Sequence, residues 1–310
     1  MKIAFFGTPP FAAQVLTYLL ENGVEVSTVI TKPDRPKGRS LQLTPTPVKE
    51  VALGRNIPVY QPEKVSELSF APILEAYQAD LFVVVAYGEI LKQHLLDMPP
   101  KGCINLHASL LPKFRGAAPI QRAIMEGEKE SGATVMYLVK KMDAGDMIAK
   151  VTIPITQEMT AGELEKEICQ KGSHLLLQVL KQIQAGIPQR EAQNPDLVTF
   201  APKIELEDCE VQWNWPAQKI HDLVRGVNPF PGAWCKVLVR DHPSRLKIIS
   251  TQIVDAIGPP GTLLQYNKAG LVIACGDKAL QLRQIQLEGK KALSGEEFVR
   301  GLPQEQLRFL

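Results

Sequence analysis

Apolar positions fall into two regimes along this chain. In the first, short apolar runs alternate with segments whose apolar residues recur every three or four positions. The runs are KIAFF (2–6), EVSTVIT (25–31), LFVVVA (81–86), GCINLHA (102–108), GATVMYLV (132–139) and MIAKVTIPI (147–155). After the first run, FAAQVLTYLLENG sets Phe11, Val15, Leu16, Leu19 and Leu20 on one face, which predicts an amphipathic helix. LFVVVA shows no polar alternation, as a central parallel strand covered on both sides requires. Strands alternating with helices predict an α/β, doubly wound sheet with its ligand site at the carboxyl ends of the strands. Thr160 with Glu163 forms a capping-box pattern that opens a long helix to about Leu180.

The second regime follows a stretch without sustained period. Residues 188–207 contain Pro188, Pro195 and Pro202 and read as a linker between a domain at 1–187 and another at 208–310. Beyond it, AWCKVLV, LKIISTQIV, GTLLQY, GLVIAC and LQLRQIQL are short strands set apart by glycine, proline and asparagine turns, which predicts a small antiparallel β-barrel. A helix over 216–227 precedes these strands, and a Ser294–Glu297 capping box opens another after them. Trp213, Trp215, Phe230 and Trp234 are expected to pack in the core or at a domain interface rather than to stack on bases.

Composition narrows the class. A length of 310 residues exceeds one typical domain, and a net charge of +2 carries no global field for a polyanion. From Asp208 onward Lys and Arg outnumber Asp and Glu by 13 to 10, a mild bias that suits contact with a phosphate backbone. The 5 cysteines are scattered without a CxxC pair, so neither a disulfide framework nor a zinc finger is expected, and no metal is called for. The opening MKIAFFGTPPF is interrupted too soon by proline for a secretory signal, and no apolar run reaches the ~18 residues of a membrane helix. The expectation is a soluble, cytoplasmic chain with no membrane partner.

The chemistry concentrates on one strand. In Cys103-Ile104-Asn105-Leu106-His107, alternation turns Asn105 and His107 to the same side, with Cα atoms roughly 6.5 Å apart. An amide donor and an imidazole that converge on one oxygen suit acyl transfer, whose carbonyl oxygen becomes an anion in the tetrahedral intermediate. On spacing alone, a satisfied turn explains Asn-x-His equally well. Asp143, in KKMDAGDMI, either orients His107 and helps move a proton or merely makes an Asx-turn with Ala144 and Gly145. FFGTPPF has one glycine where a dinucleotide turn needs three, which disfavours a dehydrogenase.

The composite stretch N-L-H-A-S-L-L-P-K-F-R-G-A-A-P-I-Q (105–121), followed by D-A-G-D-M-I (143–148), resembles the 10-formyltetrahydrofolate-dependent formyltransferases. FFGTPPFA (5–12), T-K-P-D-R-P-K-G-R (31–39), P-T-P-V-K (45–49), V-V-A-Y-G-E-I-L (84–91), N-P-F-P-G-A-W (228–234) and G-K-K-A-L-S (289–294) are similar to the members that formylate methionine on initiator tRNA. The resemblance runs through essentially the whole chain. It implies a Rossmann-like formyltransferase domain, an OB-like C-terminal barrel that binds tRNA, a monomer, and 10-formyltetrahydrofolate as co-substrate with initiator methionyl-tRNA as acceptor.

Carried over residue by residue, the resemblance makes Asn105, His107 and Asp143 catalytic. It assigns folate contacts to Ser109, Leu110, Leu111 and Pro112 and to Ala86, Tyr87, Gly88, Ile90 and Leu91. Lys32, Arg35, Lys37 and Arg39 would contact tRNA from a flexible basic loop. Another formyl acceptor (an amino-sugar nucleotide, a purine precursor or water) would use the same three catalytic side chains. A non-catalytic tRNA-binding protein would not need them.

Overall fold

The computed structural model describes residues 1–37, 42–186, 188, 190–268 and 270–310. It resolves into two compact units, and neither is a single unbroken stretch of chain. The first comprises Met1–Pro119, Ser131–Pro154 and Glu165–Ala201; the second comprises Ile120–Glu130, Ile155–Leu164 and Pro202–Leu310. Most residues expected to form a linker, up to Ala201, therefore fold with the first unit.

The first unit is built on a seven-stranded sheet. Its order is Met147–Pro154, Glu130–Tyr137, Cys103–His107, Leu81–Val85, Lys2–Gly7, Glu25–Ile30 and Val59–Tyr60. Neighbours from Cys103–His107 through to Val59–Tyr60 pair in parallel. Glu130–Tyr137 pairs antiparallel to Cys103–His107, with His107 opposite Thr134. Every side chain of Leu81–Val85 is buried, as its unbroken apolar run requires. Each of those five contributes on the order of 1.5–3 kcal/mol by leaving water.

The helix Pro10–Glu21 starts with proline in its first turn, where the missing N–H has no partner to lose, and buries Phe11, Val15, Leu16 and Leu19. Leu20, expected on that face, is only half-buried. Thr160 and Glu163 cap each other as their spacing predicts: the Thr160 N–H donates to Glu163 Oε2 at 2.8 Å, and the Glu163 N–H to Thr160 Oγ1 at 3.3 Å. The helix they open, Ala161–Ala185, runs one turn beyond the expected end.

The second unit is an all-antiparallel, seven-stranded, nearly closed barrel. Its strands lie in the order Leu263–Asn267, Gly270–Ala274, Ala279–Leu287, His242–Val254, Ala233–Val239 and Leu307–Phe309, with Leu293–Ser294 paired to Ala279–Leu287. Val239 pairs with His242, so a two-residue turn of Arg240 and Asp241, both at positive φ, joins two strands. That turn usually signals itself as Asn-Gly, and its absence here hid the four residues 242–245 from the sequence pattern. Trp213 and Trp234 are buried in the barrel's core cluster, and Trp215 packs partly against it. Phe230 departs from its expected burial: it is 80% exposed, in the segment that joins the helix Ala217–Gly226 to the strand Ala233–Val239. Among the described residues, no helix is long and apolar enough to cross a membrane.

Candidate active site

The parallel pairing of Leu81–Val85 with Cys103–His107 sends residues 86–91 and 108–118 out from the same edge of the sheet. Asn105 and His107 end the second of these strands, at 9% and 6% exposure. No described residue hydrogen-bonds the Asn105 side-chain amide. Its polar atoms are not among those sealed from solvent without a partner, so the amide is open to a group brought in from outside.

His107 is held on one side by the chain that follows it. Its Nε2 lies 2.9 Å from the Phe114 carbonyl oxygen. A carbonyl can only accept, so the ring proton is on Nε2 and donates to it. That leaves Nδ1 turned towards Asp143, with 3.8 Å to Oδ2. The distance exceeds a hydrogen bond and leaves a slot that one proton-bearing atom can bridge. Asp143 is fixed independently: its Oδ2 accepts the Gly116 N–H at 2.9 Å, and its backbone sits at φ +49°. The three residues expected to be catalytic thus stand together, although Asp143 arrives on the loop between two later strands.

The S-L-L-P turn is braced by Thr134. Its hydroxyl donates to the Ser109 carbonyl at 2.7 Å and accepts the Leu111 N–H at 3.1 Å. Ser109 Oγ donates to the Lys113 carbonyl at 2.7 Å. Ser109, Leu111 and Pro112 are buried and Leu110 is half-buried, so what this turn presents is largely backbone. Across the site, residues 86–91 alternate in burial. Tyr87 and Leu91 point into the core, whereas Ala86, Gly88 and Ile90 are exposed, Ile90 to 66%. Ala86 and Gly88 both adopt positive φ, which tightens the turn and leaves an open, small-residue rim. The buried Tyr87 hydroxyl has no hydrogen-bond partner among the described residues, and burial pushes its ionisation up.

The basic loop is more ordered at its base than its composition suggests. Arg35–Lys37 and Gln42–Thr44 pair as an antiparallel ladder, with Arg35 opposite Thr44. Arg35 is exposed. Arg39 lies outside the described residues. Lys32 is engaged within the protein: its Nζ meets Glu89 Oε2 at 2.5 Å, while Glu89 Oε1 accepts the Val65 N–H at 3.0 Å. Asp34 takes Lys49 at 2.5 Å and Gln61 at 2.6 Å, and these two hydrogen bonds, Lys49 first, hold its carboxyl below the usual carboxylate range.

Phe114, Arg115, Gly116, Glu89, Gln193 and Thr199 also build this site, and side-chain pattern did not single them out. Phe114 and Gly116 act through backbone atoms, which every residue type carries. Arg115 lies inside the composite 105–121 stretch, which was its one sequence signal. Gln193 and Thr199 sit in the presumed linker, where polarity reads as exposure. Among the described residues, no three His, Cys, Asp or Glu side chains are placed to hold a metal ion.

Comparison with known proteins bears on this arrangement. Residues 1–180 match the model of the "Formyl transferase" family, and residues 203–303 match that of its C-terminal domain. The chain is 62% identical over 311 residues to the methionyl-tRNA formyltransferase of Protochlamydia amoebophila (strain UWE25), covering 100% of this chain and 98% of that one. It is 43% identical to the protein of the same name from Bacillus licheniformis, covering 97% and 95%. Among solved structures, an N-formyltransferase from Helicobacter canadensis in complex with folinic acid and dTDP-3-aminofucose superposes with TM-score 0.68 at 19% identity, over 91% of this chain and 99% of that one. HypX from Aquifex aeolicus in complex with tetrahydrofolic acid superposes with TM-score 0.65 at 19% identity, over 96% and 47%. At such identities the two structures support the fold.

Proposed function

Because the chain belongs to the formyl transferase family in both of its parts, we propose that it transfers a formyl group from 10-formyltetrahydrofolate to the α-amino group of methionine on initiator tRNA, for the start of protein synthesis. The observation that carries this reading is the 62% identity, sustained over the whole chain, to a methionyl-tRNA formyltransferase. The same relationship makes the protein an enzyme, a formyltransferase.

The geometry supports a specific division of labour. The co-substrate supplies an electrophilic formyl carbon on a nitrogen leaving group. The free Asn105 amide donates to the formyl oxygen as it becomes an anion, where a donor already in place needs no reorganisation. The Nε2 proton of His107 is committed to Phe114, so the ring serves the reaction through Nδ1. With Nδ1 unprotonated, that atom and Asp143 Oδ2 are two acceptors facing one slot, suited to hold the attacking amine or a water and to take its proton. Once protonated at Nδ1, His107 becomes a second donor for the oxyanion. The new amide N–C bond forms, the bond to the folate nitrogen breaks, and the amine proton passes through this pair to the leaving nitrogen.

The exposed Ala86, Gly88 and Ile90 rim suits a flat heteroaromatic ring, with the largely backbone surface of Ser109–Pro112 leaving the same edge of the sheet. We assign catalysis to residues 1–187 and tRNA contact to residues 208–310, with Arg35, Lys37 and Arg39 reaching the acceptor end. Lys32 acts one step removed, by anchoring the loop to Glu89.

The test offers the purified protein 10-formyltetrahydrofolate with methionyl initiator tRNA, methionyl elongator tRNA or no acceptor. Formyl transfer to the initiator alone is expected. Release of formate without acceptor, or folate binding without modification of any tRNA, would remove the proposed acceptor.

A further inference from the structure

Asp143 occupies the left-handed region at φ +49°, a conformation that costs a non-glycine residue free energy and persists only where its surroundings impose it. Here one side chain supplies much of that restraint. Gln193 Nε2 donates to the Asp143 carbonyl at 2.8 Å and to the Gly145 carbonyl at 2.8 Å, spanning the turn. Its Oε1 accepts two hydrogen bonds from the Arg115 guanidinium, from Nε at 3.0 Å and from a terminal nitrogen at 2.7 Å. Arg115 is 5% exposed and directly precedes Gly116, whose N–H holds the Asp143 carboxylate. The loop carrying Phe114 and Gly116 and the loop carrying Asp143 are thereby pinned to each other through one amide.

The segment around Gln193 is itself fastened to both loops. Glu191 and Met147 exchange backbone hydrogen bonds at 2.8 and 2.9 Å, just beyond the Asp143 turn. Thr199 Oγ1 accepts the Phe114 N–H at 2.8 Å, and its carbonyl accepts the Arg115 N–H at 2.9 Å. Phe200–Ala201 then pairs in parallel with Arg115–Gly116. The Gln193 side chain is consequently presented from an irregular segment tied down on both sides, at Glu191 and at Thr199–Ala201.

We propose that Gln193 is a positioning residue for formyl transfer: it sets the spacing between His107 Nδ1 and Asp143 Oδ2 by bridging the Asp143 turn to Arg115. A glutamine suits the task because one rigid amide plane carries donors for two carbonyls and an acceptor for a guanidinium fork. Methionine at this position keeps the length and loses both functions. Glutamate keeps the acceptor for Arg115 but replaces two donor contacts with repulsion between oxygens. The inference rests on the role proposed above for Asp143.

The experiment compares Gln193→Met, Asp143→Asn and the double variant in the formylation assay, with thermal unfolding of each. Gln193→Met is expected to lower kcat by about 10-fold to 100-fold, since an ångström of misplacement has that effect. KM for both substrates should stay within about twofold. In the Asp143→Asn background the same change should cost nothing further, because a residue that acts through Asp143 has nothing left to position. A wild-type kcat in Gln193→Met, or a penalty that multiplies fully with that of Asp143→Asn, overturns the inference and leaves the role of Asp143 intact. Asp143→Asn at wild-type rate removes that role and this inference together. If Gln193→Met does not fold, Gln193→Glu carries the same comparison with the Arg115 contact kept.

Discussion

His107 Nε2 donates to the Phe114 carbonyl at 2.9 Å, and this single contact decides which ring nitrogen is left to face Asp143. With Nε2 committed, only Nδ1 faces Asp143, and the imidazole can accept a proton there without turning. Replacing His107 by asparagine, whose shorter side chain cannot reach both partners, is expected to lower kcat by roughly 10²–10⁴. Steady-state formylation of methionyl initiator tRNA checks it, and a kcat within tenfold of wild type would contradict the proton-transfer role.

Asn105 differs from His107 in having no described partner to lose. Asn105→Ala should therefore leave the fold nearly untouched while costing about 10²–10³ in kcat, the usual consequence of deleting one oxyanion donor. Circular dichroism melts beside single-turnover rates separate the two effects. A variant that unfolds earlier but turns over normally would mean that the amide is structural.

The Asp143 turn tolerates little at Gly145. A Cβ at this position would collide with the Tyr137 carbonyl oxygen, and that oxygen belongs to a sheet strand that cannot move aside cheaply. Gly145→Ala is expected to destabilise the protein by about 3 kcal/mol, in the range of severe backbone clashes, and to disturb Asp143 as well. Urea denaturation measures the first and kcat the second. An unchanged midpoint would show that the turn relaxes.

In the second unit, the Glu205 N–H at 3.0 Å and the Arg122 guanidinium at 2.7 Å hold the Asp208 carboxyl below the usual range, the backbone hydrogen bond having the larger effect. A folded pKa below the unfolded value of about 3.9 means that the stabilisation is present above that pH and is lost as pH falls through the folded value. Asp208→Asn should consequently lower Tm at pH 6, and the gap to wild type should narrow steadily below pH 4. A gap independent of pH would show that the carboxylate charge contributes nothing.

All five cysteines are buried. Burial is the main cause that pushes the Cys169 and Cys209 thiols up to about 11, and Cys103 and Cys235 are raised further. The thiolate is the reactive form, so folded protein treated with iodoacetamide at pH 8 should remain unlabelled by intact mass, and urea should expose all five. Rapid labelling of a native cysteine would indicate local opening at that site.

Periodicity alone determines much of this protein's secondary structure. The unbroken apolarity of residues 81–85 marks a doubly covered strand, the Asn105–His107 alternation marks one face, and the Thr160–Glu163 and Ser294–Glu297 spacings mark two helix starts. Each is a local property, set by the pitch of a strand or helix, and the structure carries each one. The composite stretches 105–121 and 143–148 likewise point to the chemistry. What the pattern leaves open is which distant backbone atoms meet. The Phe114 carbonyl, the Gly116 N–H and the clasp of Gln193 on Asp143 and Arg115 are made by loops, largely through main-chain groups that all residues share. Whether residues 188–201 tether two domains or complete a site is likewise decided by pairing with Met147 and with Arg115–Gly116, and side-chain sequence does not encode such partners. Local pitch is written residue by residue, whereas the 3.8 Å between His107 and Asp143 exists only once the sheet has set where both loops end.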